Sequence, residues 1–257
     1  MIWSVITFFF ALWQGRYMVD QLSFVSVWDI FMSSDMMSVY WFFPVVISIY
    51  LAMPILSLLT EKIHRKWLWY MAVLGLLTYS VVPPLLKLLG LTFNESYALP
   101  LTAGFIIFPI LGYLLATTQI PRKWLIATCI ASVLVLALRY GVTYYLTLRD
   151  GSTNYLLGDY IYFTGVIPAM TVFMLAKRIP WDKYIKGKYI KVLSVVSSCS
   201  LGIYLIHILV MNAQMELFDF TDTQFVWRIV MPLVTYGICL GIVWLLKKGT
   251  VTRYLFP

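Results

Sequence analysis

Eight apolar runs, each closed by charge, Gly or Pro, divide the chain. They cover residues 1–13, 40–59, 68–89, 101–118, 124–148, 160–176, 192–212 and 227–246. The last seven have the length of about 20 residues that a helix needs to cross a hydrocarbon core of about 30 Å. The first, MIWSVITFFFALW, reaches only about 20 Å at roughly 1.5 Å per residue. It has no basic leader and no small-residue cleavage site, so it reads as part of a helix rather than a signal peptide. Pro83-Pro84 predicts a kink in the third run or its division into two pieces, while Pro44, Pro54, Pro109 and Pro168 lie inside others.

Within these runs a few polar positions are spaced as helix stripes. In VLSVVSSCSLGIYLIHILVMN (192–212), Ser197, Ser200, Tyr204 and His207 fall within an arc of roughly 80°. Lipid penalises such a face, so the stripe is expected to look into the protein or a water-filled cavity. In the fifth run Thr128, Ser132, Arg139 and Thr143 share an arc of about 60°. An arginine at that depth must be paired, hydrated or snorkelling, and the stripe beneath Arg139 favours a cavity. No acidic residue lies inside a run and His64 sits at a basic end, so no triad is formed. An interior polar site is predicted; its chemistry is left open by spacing alone.

The loops orient the bundle. Fourteen of nineteen basic residues fall on one alternate set of loops: Lys62, Arg65, Lys66, Arg122, Lys123, Lys177, Arg178, Lys183, Lys186, Lys188, Lys191, Lys247, Lys248 and Arg253. Nine of eleven acidic residues fall on the other, with Arg16 and Arg149. By the positive-inside rule the basic set is cytoplasmic, which predicts about eight spans with the C-terminus inside.

Composition agrees. Of 257 residues 61% are hydrophobic and 12% charged, where a soluble domain has about 25% charged. The fold class is therefore all-α, a polytopic transmembrane bundle forming one domain over residues 1–257. Topology accounts for the net charge of +8, and nucleic acid is not a predicted partner. The loop KRIPWDKYIKGKYIK (177–191) is the cationic stretch with a second use, gripping phosphates of a nucleotide-like ligand or lipid headgroups. Cys129, Cys199 and Cys239 lie in apolar runs without metal-ligand spacing and read as packing residues.

Several of these stretches carry a resemblance. SLGIYLIHILVMN (200–212), YWFFPVVISIYLAMPILSLL (40–59), IWSVITFFF (2–10) and GFIIFPILGYLLATT (104–118) resemble, in order and spacing, segments of the integral-membrane acyltransferase family 3. That family moves acyl groups, usually acetyl, from cytoplasmic acyl-CoA to hydroxyls of glycans or lipid-linked sugars. The resemblance implies an O-acyltransferase of a bacterial cytoplasmic membrane with acetyl-CoA as donor and a cell-envelope glycan or lipid-linked sugar as acceptor. On that model Lys177, Arg178, Lys186 and Lys188 hold the CoA phosphates, and Tyr204 and His207, with Ser200, line the acceptor side. Arg139 has no motif counterpart and is a substrate-binding candidate on burial alone.

The family's catalytic histidine lies in a span that would precede Met1. The resemblance thus leads to the expectation that the chain lacks two family spans, that its general base is unassigned, and that a separately encoded N-terminal segment is a partner. Two rivals stay open: a transporter or flippase for a lipid-linked sugar that binds cargo through Arg139 and His207, and an inactive membrane fragment. The lack of an internal repeat weighs against the transporter.

Overall fold

Apolar runs this dense, punctuated by Gly and Pro, can satisfy their backbone in lipid only as helices. The computed structural model describes residues 2–13, 23–33, 38–61, 64–97, 104–218, 223–250 and 252, which are helical with no strand among them. Arg16, Lys62 and Arg253, counted in the charge bias above, lie outside the described residues. In chain order come α1 (Ile2–Trp13), α2 (Phe24–Ser33), α3 (Phe42–Leu58), α4 (Arg65–Gly75), α5 (Val82–Leu88), α6 (Ile107–Thr117) and α7 (Arg122–Asp150). They are followed by α8 (Phe163–Arg178), α9 (Trp181–Tyr184), α10 (Lys188–Phe218), α11 (Phe225–Ile229) and α12 (Met231–Leu246). Helix α2 was not read from the sequence, because Ser26, Asp29 and Ser33 break its hydrophobicity.

Three helical stretches are long and apolar enough to cross a membrane: Arg65–Leu88, Arg122–Asp150 and Lys188–Phe218, of 24, 29 and 31 residues. Phe42–Leu58, Gly104–Thr117 and Met231–Leu246 are shorter apolar helices. The first long stretch contains the double proline and is not broken there. A π-helical segment, Leu76–Val81, joins α4 to α5 directly ahead of Pro83. Two prolines in succession remove two donors to the preceding turn, and the wider π turn accommodates their rings. Ser80, in that segment, is fully buried.

The chain divides into two compact units, residues 41–180 and residues 1–40 with 181–257. In the first, Leu68 and Ala72 of α4, Ile107, Ile110, Leu111 and Leu114 of α6, and Val166 of α8 form one buried cluster. Leu115, Leu125 and Met174 extend the packing to α7. Helix α7 stops at Gly151, whose φ of 65° is the left-handed C-terminal conformation that glycine adopts without strain. The loop from there to α8 folds back tightly: a Cβ on Gly165 would stand 2.4 Å from the carbonyl oxygen of Tyr160. Trp41 stacks on Tyr160 at 5.5 Å, adding an aromatic pair at that end.

In the second unit α10 and α12 run antiparallel. Near one end the Thr235 hydroxyl donates to Gln214 Oε1 at 2.6 Å; towards the other the Lys247 ammonium donates to the Ser198 carbonyl at 2.9 Å. Cys199 and Cys239 are buried between these pins, as packing residues.

Candidate functional site

A separation of three residues places Tyr204 and His207 on one face of α10. Their ring centroids are 5.6 Å apart with planes at 40°. His207 Nδ1 lies 2.7 Å from the Tyr204 carbonyl oxygen. A carbonyl only accepts, so in the neutral ring Nδ1 holds the proton and Nε2 presents the lone pair. Tyr40, 1% exposed, lies near enough to Thr7 of α1 and to Tyr204 for the three side chains to interact. Thr7, Tyr40, Tyr204 and His207 thus form one polar group in the second unit. Sequence reasoning missed Thr7 and Tyr40; Ser4 and Thr7, the two hydroxyls inside IWSVITFFF, were the available signal.

Ser200 does not join them inside the protein. Both Ser197 and Ser200 are exposed, and the Ser200 hydroxyl donates to the Val196 carbonyl of its own helix at 3.2 Å. The face that α10 buries, through Cys199, Gly202, Ile203, Leu205, Ile206 and Gln214, is centred roughly 130° from the polar stripe at 100° per residue. Small and aliphatic side chains pack against α12 more closely than the stripe could, which corrects the expectation for its Ser197–Ser200 end.

Arg139 belongs to the other unit, where Thr128 and Ser132 of its stripe meet Thr171 of α8. Ser132 and Thr171 share a buried hydrogen bond of 2.8 Å between α7 and α8, and the Thr171 hydroxyl also lies 3.2 Å from the Thr128 carbonyl. The stripe is therefore a helix-packing seam, held by polar pairing as membrane helices often are. Arg139 itself is half-buried and donates to the Gly158 carbonyl at 3.0 Å. It ties down the loop between α7 and α8.

The cationic candidates are also divided. Lys177 donates to the carbonyls of Leu115 and Thr118, both at 2.8 Å, and Arg178 to that of Ile120 at 2.5 Å. Arg65 adds donors to the hydroxyls of Thr117 and Thr118, each at 2.8 Å. These three cations close the end of α6, where helix carbonyls lack intrahelical partners. A small cavity of about 210 Å³ lies beside Lys177 and Arg178. Lys186 and Lys188 belong to the other unit and are exposed, with the Lys188 ammonium 5.6 Å from the Tyr189 ring centre. Among the described residues no cluster of three metal-ligating side chains occurs.

Comparison with known proteins adds one finding. No curated protein and no solved structure matches the chain. A family model described as an acyltransferase domain matches residues 1–247, nearly all of the helices described above. With membrane-length helices and that match over almost its full length, the chain belongs to the membrane acyltransferase family 3.

Proposed function

We propose that the chain is a multi-pass O-acyltransferase of a bacterial cytoplasmic membrane, moving acetyl from cytoplasmic acetyl-CoA to a hydroxyl of a cell-envelope polysaccharide or lipid-linked sugar. The family match over residues 1–247 carries this reading, and it supports acyl transfer in general. Three membrane-length helices and the one-sided distribution of Lys and Arg support about eight spans with the C-terminus in the cytoplasm.

In the reaction the acceptor oxygen attacks the thioester carbonyl, a C–O bond forms as the C–S bond breaks, and the hydroxyl proton passes through a general base to the departing CoA thiolate. His207 is suited to orient the acceptor: with Nδ1–H engaged by the Tyr204 carbonyl, Nε2 accepts a hydrogen bond from the hydroxyl. Tyr204 supplies a second hydroxyl beside it. The general base is left unassigned among these residues. On the donor side Lys177 uses two of its three N–H groups and Arg178 one of its five on carbonyls, so both retain donors for phosphate. Lys186 and Lys188, exposed on the second unit, are candidates for phosphate by their charge alone.

CoA binding tests this reading against transport. The full chain in phosphatidylcholine nanodiscs should bind acetyl-CoA, with Arg178→Ala and Lys186→Ala each weakening it several-fold and more so in higher salt. Absence of saturable CoA binding by the wild-type chain would remove the acyltransferase reading.

A further inference from the structure

The end of the first unit that carries the loop between α7 and α8 holds two adjoining clefts lined by none of the residues assigned to the proposed reaction. One, of about 540 Å³, is the more polar of the two: Thr78, Lys87, Thr92, Asp159 and Tyr162 line it together with Leu91, Phe93 and Ile161. The other, of about 600 Å³, is mainly apolar, with Leu138, Val142, Leu146 and Leu156 in its wall and Arg149 among its lining residues. Lys87 lines both. Its ammonium donates to the hydroxyl of Tyr162 at 2.6 Å, and the Tyr162 side chain that fixes it is 7% exposed. A flexible cation is thereby held in one place, at the seam between a hydroxyl-rich cleft and a greasy one.

The walls are built rather than incidental. Arg139 fixes Gly158, the buried Thr164 hydroxyl donates to the Leu157 carbonyl at 2.8 Å, and the Ile161 amide donates to Asp159 Oδ1 at 3.1 Å. Arg149, 58% exposed at the rim, pairs with its neighbour Asp150 at 2.6 Å. Depth is informative too. Lys87 follows Arg65 by 22 positions on one continuous helical stretch, Arg65–Leu88, so the two lie roughly 30 Å apart, the thickness of a hydrocarbon core. A stretch of that length, crossing with Arg65 at one interface, would carry Lys87 to headgroup level at the other.

From this arrangement we infer a binding site for an anionic amphiphile: a phosphodiester at Lys87, an apolar chain along the Leu138–Leu146 wall, and a hydroxyl-bearing headgroup in the cleft of Thr78, Thr92 and Asp159. A lysine ammonium recognises phosphate as a point charge, and hydroxyls with a carboxylate recognise a polyol. Two sources share this chemistry, a polyol-headed phospholipid and a prenyl-phosphate-linked sugar. The site stands independently of acyl transfer, since a chain that fails to transfer acetyl can still bind there.

The test uses the full chain in phosphatidylcholine nanodiscs, free of sugar detergents, titrated with radiolabelled farnesyl phosphoglucose, phosphatidylinositol and, as the uncharged control, farnesyl glucoside. At least one phosphate-bearing probe should bind saturably, and Lys87→Met should weaken it at least tenfold. Tyr162→Phe, which removes only the anchor of the ammonium, should weaken it two- to fivefold, and Arg149→Gln serves as a second variant should Lys87→Met lose helicity. The glucoside should bind weakly and alike to wild type and Lys87→Met. Tighter binding of farnesyl phosphoglucose identifies the sugar-linked source, and tighter binding of phosphatidylinositol the lipid one. Binding of the glucoside as tight as that of the better phosphate-bearing probe, or unchanged binding of that probe in both Lys87→Met and Arg149→Gln, overturns the inference.

Discussion

The guanidinium of Arg139 donates to the carbonyl oxygen of Gly158 at 3.0 Å, joining a residue deep in a 29-residue helix to a loop nineteen positions on. Charged donors to a neutral acceptor contribute about 1.5–3 kcal/mol when partly shielded from water. Arg139→Ala should therefore raise amide exchange in residues 156–162 while leaving exchange in the middle of α7 unchanged. Equal exchange in wild type and variant would show that Gly158 is held by other contacts.

The pair Gln214 and Thr235 predicts a second, separable effect. Both side chains are 4% exposed, and Thr235→Val leaves the Gln214 amide oxygen buried without its donor. The single variant should lose about 1–3 kcal/mol, and the double variant Thr235→Val/Gln214→Leu should recover part of it. The coupling between the two sites should be about 0.5–2 kcal/mol, the range found for hydrogen bonds between membrane helices. Strictly additive losses in reversible unfolding would contradict a direct bond.

These pairings mark how far the sequence alone reaches. The runs around α3, α4 to α8, α10 and α12 were legible because lipid crossing demands long apolar segments, and their ends lie within a few residues of those read. Helix α2 was not, since its polar residues fall below any span threshold. Tyr204 and His207 could be paired by helical spacing, but Thr7 and Tyr40 reach them from elsewhere in the chain, a relationship no local pattern encodes. Arg139 shows the opposite failure. Its stripe was recognised, yet periodicity cannot tell a cavity wall from a seam, and Thr171 on α8 decided for the seam. Lys177 and Arg178 were likewise visible as charge, whereas their engagement with the end of α6 depends on folding.

Gly165 offers a steric prediction. A methyl group there would meet the Tyr160 carbonyl at 2.4 Å, and backbone on a folded-back loop has little room to yield. Gly165→Ala should destabilise the chain by about 1–3 kcal/mol, as overpacking does, and should lower the yield of monodisperse protein in detergent. Gly112→Ala, where an added Cβ meets nothing within 4 Å, is the matched control and should cost far less.

For the reaction, His207→Gln should reduce kcat/KM roughly 10- to 100-fold, corresponding to loss of about 1.4–2.7 kcal/mol of hydrogen bonding to the acceptor. Circular dichroism of the variant should be unchanged, because the imidazole bonds through Nδ1 to a carbonyl of its own helix and glutamine is a good helix former. Undiminished turnover would remove His207 from the acceptor side.

The most direct test follows both halves of the transfer at once. Membranes containing the full chain are given acetyl-CoA labelled in the acetyl group, and free CoA thiol and base-labile label in the glycan and lipid fractions are measured together. Acyl transfer predicts that thiol and ester appear in equal amounts, above those in membranes lacking the chain, and that both fall in His207→Gln. Label that stays entirely on CoA, with no thiol released above that background, would contradict it.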